Sequence, residues 1–117
     1  MKRGLRLTKS TDFKRVRLSG QSFAHPLVVL IVLHNPDGKV RVGVAAGRSV
    51  GNAVARNRAK RRLRVCIANQ IPAVPDGWDL ILLARAPIRN ASFEQIDQAV
   101  KTLLIRSGLY QEARLFS

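Results

Sequence analysis

Cysteine is nearly absent from the sequence: Cys66 is the only one among 117 residues, so no disulfide can form within the chain. Long apolar runs are missing too, since the longest, residues 27–33, is far shorter than the roughly twenty residues that cross a membrane. Residues 1–6 show no apolar segment typical of a secretory signal. These absences predict one compact cytoplasmic domain whose lone thiol is buried and inert.

Groups that carry out protein catalysis are also scarce. The sequence has two histidines, His25 and His34, which flank one apolar run without an obvious acidic partner. Metal-dependent phosphodiester hydrolysis needs clustered carboxylates, and general acid–base cleavage needs histidines poised beside a partner. Because neither pattern occurs, we predict no catalytic residue and assign no metal site within the protein.

Acidic residues are missing altogether between Asp37 and Asp76, whereas the same interval holds nine Lys or Arg. Over the whole chain the formal net charge is +14, with a sequence pI near 11.7. An excess this large is more than solubility requires and draws the protein to polyanions. Charge alone leaves two such partners open, a nucleic acid and an anionic membrane surface.

The middle of this interval predicts one long basic helix. Asn52 is a favourable N-cap residue, and residues 53–71 contain neither Gly nor Pro, which is enough for about five turns. Small and apolar residues recur at spacings of three and four, which predicts a face packed on a sheet: Ala55, Ala59, Leu63, Cys66 and Ile67.

The other faces of this helix carry positive charge only. Residues 51–64 contain six Lys or Arg and no acid: Arg56, Arg58, Lys60, Arg61, Arg62 and Arg64. A solvated helix face normally mixes signs, whereas here neighbouring charges repel one another. Phosphate is the natural counter-ion, because guanidinium groups bind its oxygens in a bidentate manner. We therefore predict that the helix contacts a polyphosphate backbone.

Local patterns around the basic helix predict two more helices and a sheet. A short helix capped by Ser10 ends at residues 19–20, and a final amphipathic helix begins at the capping box of residues 92–95. A turn at residues 35–38 predicts a hairpin between the second and third strands. The strand–helix–strand order across the basic helix predicts a parallel pair. Four strands are predicted, at residues 21–25, 27–34, 39–46 and 78–85.

The motif Arg56-Asn57-Arg58 is preceded by Gly51-Asn52-Ala53-Val54 and followed by Lys60-Arg61 and Arg64. It resembles the Arg-Asn-Arg motif of the bacterial ribonuclease P protein subunit, and the order of elements is similar over nearly the whole chain. The resemblance implies an α+β fold, a single-domain α-β-β-β-α-β-α sandwich with a small mixed sheet.

The implied domain is a single RNA-binding domain over residues 1–117, with a flexible basic N-terminus over residues 1–9. The resemblance also implies that the basic helix lies in a left-handed β-α-β crossover, although such connections are usually right-handed.

The resemblance further implies two binding surfaces. The single-stranded 5′ leader of precursor transfer RNA would lie in a cleft between the first helix and the sheet, bordered by Phe13, Lys14, Arg17 and Arg48. From its pattern alone Phe13 fits equally well as a core residue, since Val16 shares its face. In the cleft, its ring would stack on a base of any identity. The basic helix would contact a catalytic RNA through Arg56, Asn57, Arg58, Lys60, Arg61 and Arg64.

The sequence departs from the family pattern at three positions. Arg17 stands where a second aromatic residue often follows Phe13, Ile31 takes the place of a common strand aromatic, and Ser49 stands where a second basic residue is common. The first two differences predict weaker stacking in the cleft and a larger share for phosphate contacts. Phe23 is a candidate to compensate.

By the same resemblance, the protein is a subunit of a ribonucleoprotein endoribonuclease that removes the leader and leaves the mature 5′ end. The chemistry is expected in the partner RNA, with Mg²⁺ bound mainly by that RNA. The implied partners are the catalytic RNA and precursor transfer RNA, without a membrane, a small-molecule substrate or an obligate protein partner. The alternative is a basic ribosomal or other structural RNA-binding protein without a processing role, which composition and motif together favour far less.

Overall fold

The computed structural model describes residues 6, 7, 9–36 and 38–109. They form one four-stranded sheet with helices on both of its faces, which confirms the predicted α+β class and element order. Short 3₁₀ helices occupy Arg48–Val50, Ile71–Ala73 and Ala86–Asn90. The main elements are α1 (Ser10–Ser19), β1 (Gln21–Ala24), β2 (Val28–His34), β3 (Arg41–Ala46), α2 (Ala53–Gln70), β4 (Trp78–Ala84) and α3 (Phe93–Arg106).

The strands lie in the order β1-β2-β4-β3. The parallel pairing of β3 with β4 across α2 is confirmed, with Val42 opposite Leu80, and the left-handed sense of this crossover stays a prediction. The hairpin between β2 and β3 is wrong, because β4 lies between them and pairs antiparallel with β2. β2 and β4 are the strands whose side chains are apolar on both faces, so they take the central places that are covered on both sides.

The helix ends follow their sequence signals at two of three N-termini. Asn52 caps α2, because its side chain accepts a hydrogen bond from the Ala55 backbone at 2.9 Å. Ser92 and Gln95 form the predicted capping box of α3. The predicted Ser10 cap is wrong: Ser10 is already helical, and the N-cap position falls on Lys9, whose side chain makes no capping bond. α1 therefore begins without side-chain support.

The main core lies between the sheet and the helices α2 and α3. Leu63 and Ile67 of α2 are fully buried there, together with Leu103 of α3 and Leu80 of β4. Cys66 belongs to the same core, and burial, followed by the nearby Asp97 carboxylate, raises the pKa of its thiol to about 12. The prediction of a buried thiol is thus confirmed, and the raised pKa is in the direction expected of an unreactive one.

The opposite face of the sheet is covered by α1 and a short N-terminal segment. Its smaller cluster contains Leu7, Val16, Ile31 and Ile81, all buried. The backbone N–H of Leu7 donates to the Val42 carbonyl at 2.8 Å. The flexibility expected of residues 1–9 stays a prediction, and residues 1–5 and 8 lie outside the described residues. Among the described residues, no helix has the length and apolar character needed to cross a membrane.

Candidate nucleic-acid interface

The α2 surface comprises the six predicted RNA-contacting residues. They lie on the sides of α2 that face away from the core. Along one flank, Arg56, Lys60 and Arg64 follow at intervals of four and are half-buried. Asn57 and Arg61 are exposed beside them, and Arg58 is exposed towards the opposite flank. None of the six forms a salt bridge with a carboxylate in the described part of the chain. These cations are therefore available to an outside anion.

Arg6 adds a cation to this surface that sequence reasoning missed. Its backbone forms an isolated bridge to Val42, at the outer edge of the sheet, and α2 packs over the same strand. Burial, together with the positive charge of Arg6, lowers the pKa of Arg64. Two guanidinium groups from distant parts of the chain thus share one neighbourhood. No local pattern could reveal this, since 58 positions separate them.

Arg58 lies in a polar cleft between the start of α2 and the 3₁₀ helix Ala86–Asn90, which Arg89 and Asn52 also line. The Arg89 guanidinium lies against Gly51, where an added Cβ would come within 3.2 Å of Nη1. Gly51 also has a φ of 141°, a conformation that favours glycine. The third arginine of this flank, Arg62, donates to the Ala91 carbonyl at 2.9 Å and tethers α2 to the start of α3.

The α1 groove runs along the outer flank of α1 and is lined by Ser10, Phe13, Lys14, Arg17 and Leu18. Three of the four predicted leader-binding residues therefore lie together. Phe13 is half-buried, and its ring lies directly over Gly43, where an added Cβ would be 2.5 Å from Cε2. The ring packs against the smaller core cluster and also lines the groove, so both sequence interpretations of Phe13 describe part of its environment.

Leu18 was missed by the sequence analysis, although it is 75% exposed in the groove. Its signal is an apolar residue next to Arg17, outside the face that Phe13 and Val16 share. The two other candidates for apolar contact do not reach the groove. Ile31 is buried beneath α1, and Phe23 packs against the main core on the far side of the sheet, so it cannot compensate for the missing aromatic.

Arg48 is exposed after β3, and it is not among the residues that line the α1 groove. Because β3 and β4 are parallel, with Ala46 opposite Ala84, Arg48 and Arg85 both follow the same edge of the sheet. Arg85 is exposed and donates to the His25 carbonyl at 3.3 Å. It is a further cation that the sequence analysis did not assign to this edge.

The Asp79 cluster comprises Asp79, Arg15, Arg41, Asp12 and Asn35, and lies beneath the other flank of α1. Arg41 binds Asp79 as a fork, with Nε to Oδ1 and Nη2 to Oδ2 both at 2.9 Å, and Arg15 Nη2 reaches Oδ2 at 2.7 Å. Asn35 donates to Oδ1 at 3.3 Å. Burial alone would raise the pKa of Asp79, but the hydrogen bonds from Arg41 and Arg15 outweigh it, so this pKa is lowered.

The two histidines have local partners only. His25 Nδ1 accepts a hydrogen bond from the Leu27 backbone at 3.0 Å, and the His34 ring lies 5.0 Å from that of Trp78. Within residues 6, 7, 9–36 and 38–109, no group of three or more His, Cys, Asp or Glu could hold a metal ion. The arrangement offers cationic and apolar contacts and no recognisable acid–base pair.

Comparison with known proteins identifies the family of this chain. The family model of ribonuclease P matches residues 1–108. The chain belongs to the ribonuclease P protein family. Among the family's curated members, the ribonuclease P protein component of Herpetosiphon aurantiacus is 41% identical over 112 residues, which cover 96% of this chain and 91% of that protein. The component of Symbiobacterium thermophilum is 40% identical over 112 residues, covering 95% and 97%.

Solved structures of the ribonuclease P protein family share the fold. The ribonuclease P protein of Staphylococcus aureus superposes with a TM-score of 0.83 at 27% identity, covering 92% of this chain and 98% of that one. The resemblance noted from the Arg-Asn-Arg motif is therefore confirmed, as is the mixed α+β fold.

Proposed function

We propose that this protein is the RNA-binding subunit of ribonuclease P in the cytoplasm. It binds the catalytic RNA through the α2 surface and the 5′ leader of precursor transfer RNA through the α1 groove. Binding promotes Mg²⁺-dependent endonucleolytic removal of the leader. The observation that carries the proposal is the α2 surface, whose five cations have no carboxylate partner within the described residues. Membership of the family supports the same assignment.

The α2 surface suits a folded RNA partner. A row of guanidinium and ammonium groups neutralises successive phosphates and releases their counter-ions. Asn57 both donates and accepts hydrogen bonds, unlike the arginines beside it, and can therefore contact a base edge or a ribose hydroxyl. Because the buried side of α2 is apolar, these contacts need no change in how the helix packs.

The α1 groove suits a single strand of variable sequence. Phe13 and Leu18 provide apolar contact for a base, while Lys14 and Arg17 provide charge for the backbone. Stacking on an aromatic ring tolerates any base, which fits a leader without a fixed sequence. Arg48 and Arg85 extend positive charge along the sheet edge and serve as further phosphate contacts in this proposal.

The described residues do not fit a Mg²⁺ site of their own, since they contain no group of three or more His, Cys, Asp or Glu, and the buried carboxylate Asp79 already accepts bonds from two arginines. We therefore assign Mg²⁺ to the partner RNA, where it would activate water and stabilise the charge of the cleaved phosphate. The protein contributes by neutralising phosphate repulsion, which lowers the Mg²⁺ concentration needed for substrate binding.

The proposal is tested by adding the protein to its cognate catalytic RNA at low Mg²⁺ and measuring cleavage of precursor transfer RNA. The protein should restore cleavage, and protein alone should show none. Arg58→Ala and Arg61→Ala should impair assembly with the catalytic RNA, while Phe13→Ala should mainly reduce the preference for precursor over mature transfer RNA. Binding of RNA without any gain in cleavage would favour the structural RNA-binding alternative.

The location of the chemistry is tested by replacing both histidines, His25→Gln and His34→Gln, in the same holoenzyme. Single-turnover cleavage at saturating holoenzyme isolates the chemical step from binding and release. The rate should be nearly unchanged. Loss of a general base typically costs about 10²- to 10⁴-fold, so a loss of that size with RNA affinity intact would place a protein side chain in the reaction.

A further inference from the structure

Asp79 is the one polar or charged side chain that is buried in the described part of the chain, with 0% exposure. Burying a carboxylate costs several kcal/mol unless charged partners and hydrogen bonds offset the loss of water. The fork of Arg41, on the neighbouring strand β3, already bonds both oxygens. The additional bond from Arg15, which is on α1 and 64 positions away in sequence, links a different element to the sheet.

Besides Arg15, α1 meets the sheet through apolar packing of Val16 and Phe13 and through a longer ion pair, Arg41 Nη1 to Asp12 Oδ2 at 3.5 Å. It spans ten residues, and Val16 is its only fully buried side chain. Apolar contact is not directional, so one buried valine does not determine how the helix is rotated about its axis. At 3.6 residues per turn, Phe13 and Arg15 lie on opposite sides of Val16. The bond from Arg15 to Asp79 therefore holds one flank of α1, while the other flank forms the groove.

We infer that Asp79 and Arg15 are positioning residues for the α1 groove: their ion pair fixes the rotation of α1 and so places Phe13 over Gly43 and Arg17 at the groove. The inference rests on the proposed leader-binding function of the groove. Asp79 has no exposed surface and acts through Arg15 rather than by touching RNA. Its hydrogen-bond partners are Arg41 from β3, Arg15 from α1 and Asn35 after β2. Asp12 of α1 pairs with the same two arginines, at 3.6 and 3.5 Å.

Two other roles for Arg15 make different predictions. Its side chain is 41% exposed. A direct contact with a phosphate outside the leader would weaken leader-bearing and leaderless RNA alike, and one with a leader phosphate would add its loss to that of Phe13→Ala. A purely structural ion pair would lower the free energy of unfolding and leave RNA preference unchanged. Positioning predicts a loss that is specific to the leader and that depends on Phe13.

The test compares the affinity of the holoenzyme for precursor and mature transfer RNA in wild type, Arg15→Ala, Arg15→Lys, Phe13→Ala and the double variant of Phe13→Ala with Arg15→Ala. Arg15→Ala is expected to fold, because Arg41 keeps both of its bonds to Asp79. Arg106→Ala is the matched control: it removes the same charge from an exposed arginine that also makes one hydrogen bond, to the Ala24 carbonyl at the far end of β1.

Phe13→Ala should reduce the preference for precursor by about 5- to 150-fold, the range expected when one stacked base is lost. Arg15→Ala should lose much of the same preference, the double variant should lose little more than Phe13→Ala, and Arg15→Lys should recover part of it. Arg106→Ala should weaken both RNAs equally.

Additive losses in the double variant, or an unchanged preference in Arg15→Ala, would overturn the positioning role while leaving the proposed function intact. A wild-type holoenzyme that does not prefer precursor would overturn both.

Discussion

The two basic helices are held on the sheet in opposite ways. α2 buries Ala59, Leu63, Cys66 and Ile67 in the main core and is capped by Asn52, so its position does not depend on its charges. α1 buries Val16 alone, has no side-chain cap, and is tied to the sheet by the ion pair between Arg15 and Asp79. The two helices are both basic, but they use their cations for different purposes. In α2 the cations remain available to RNA, whereas in α1 one cation is used to orient the helix.

This difference predicts different responses to solution conditions. Apolar packing is insensitive to moderate changes in pH and salt, while an ion pair responds to both, less so where it is buried. The stability of α2 should therefore follow the main core, and the orientation of α1 should follow the ionisation of Asp79.

The largest effect is expected where α2 meets the main core. Leu63→Ala removes a fully buried side chain and should lower the free energy of unfolding by about 2 to 5 kcal/mol, because the core around it cannot close the cavity completely. Denaturant unfolding measures this loss, with Val65→Ala as the control on the same helix, since Val65 is 51% exposed. A loss below about 1 kcal/mol for Leu63→Ala would show that α2 is not held mainly by this core.

The second-largest effect on the free energy of unfolding is expected in the Asp79 cluster. Asp79→Asn removes the charge that pairs Arg15 and Arg41, and should cost about 3 kcal/mol near pH 7, the low end for breaking a buried pair, since both arginines keep access to water. Equilibrium unfolding at several pH values measures the difference from wild type.

The pH dependence of that difference follows from the direction of the Asp79 pKa, which is lowered in the folded protein. A carboxyl of this kind stabilises fully above its unfolded pKa, about 3.9, and loses the contribution as pH falls through its folded pKa. The difference between wild type and Asp79→Asn should be constant from about pH 7 to 5 and shrink below about pH 4. A difference that grows on acidification would contradict the assigned sign.

A smaller effect is expected where Phe13 meets the sheet. Gly43→Ala would place a Cβ 2.5 Å from Phe13 Cε2 and 3.2 Å from the Leu7 carbonyl oxygen, so the ring must move. We expect a cost of about 1 to 3 kcal/mol, typical of overpacking, and a weaker preference for precursor transfer RNA. Gly47→Ala is the matched control, because nothing lies within 4 Å of its Cβ position. Equal effects of the two substitutions would exclude a steric cause.

The smallest effect compares the two N-caps. Asn52→Ala removes the bond to the Ala55 backbone and should cost about 1 kcal/mol, whereas Ser10→Ala removes no capping bond and should cost almost nothing. Thermal unfolding of both variants provides the comparison. A Ser10→Ala loss as large as that of Asn52→Ala would indicate that Ser10 caps α1 in solution.

Local signals explain which parts of the fold were predictable. The Asn52 cap, the apolar stripe of α2 and the capping box of α3 each depend on residues within a few positions, and all three are confirmed. The pairing of β2 with β4, in place of the predicted hairpin with β3, could not be predicted from residues close in sequence. The Gly38 backbone donates to the Asn35 carbonyl, as the predicted turn requires, but the strand that follows, β3, lies beyond β4 in the sheet.

In the candidate site, too, features set by neighbouring residues were predictable and features set by tertiary packing were not. Phe13, Lys14, Arg17 and Arg48 were assigned to a cleft between the first helix and the sheet. The three helix residues line one groove, because their spacing determines a shared face, but the described lining of that groove belongs to α1 and does not include Arg48. Leader binding by these residues stays a prediction. Arg6 beside Arg64 and Arg15 on Asp79 could not be predicted, since each pair joins distant segments through tertiary packing. Asp79 lies within the predicted strand 78–85, but the sequence analysis assigned it no role, and only its 0% exposure reveals its importance.

The buried thiol of Cys66 provides a chemical probe of how often the folded core opens. It is the only thiol in the chain, it lies in the core between α2 and α3, and its raised pKa keeps it protonated at neutral pH. An alkylating reagent can therefore reach it as a reactive thiolate only when the core around it opens. The rate of alkylation would report how often this opening occurs, with and without bound RNA, in a protein that needs no introduced label.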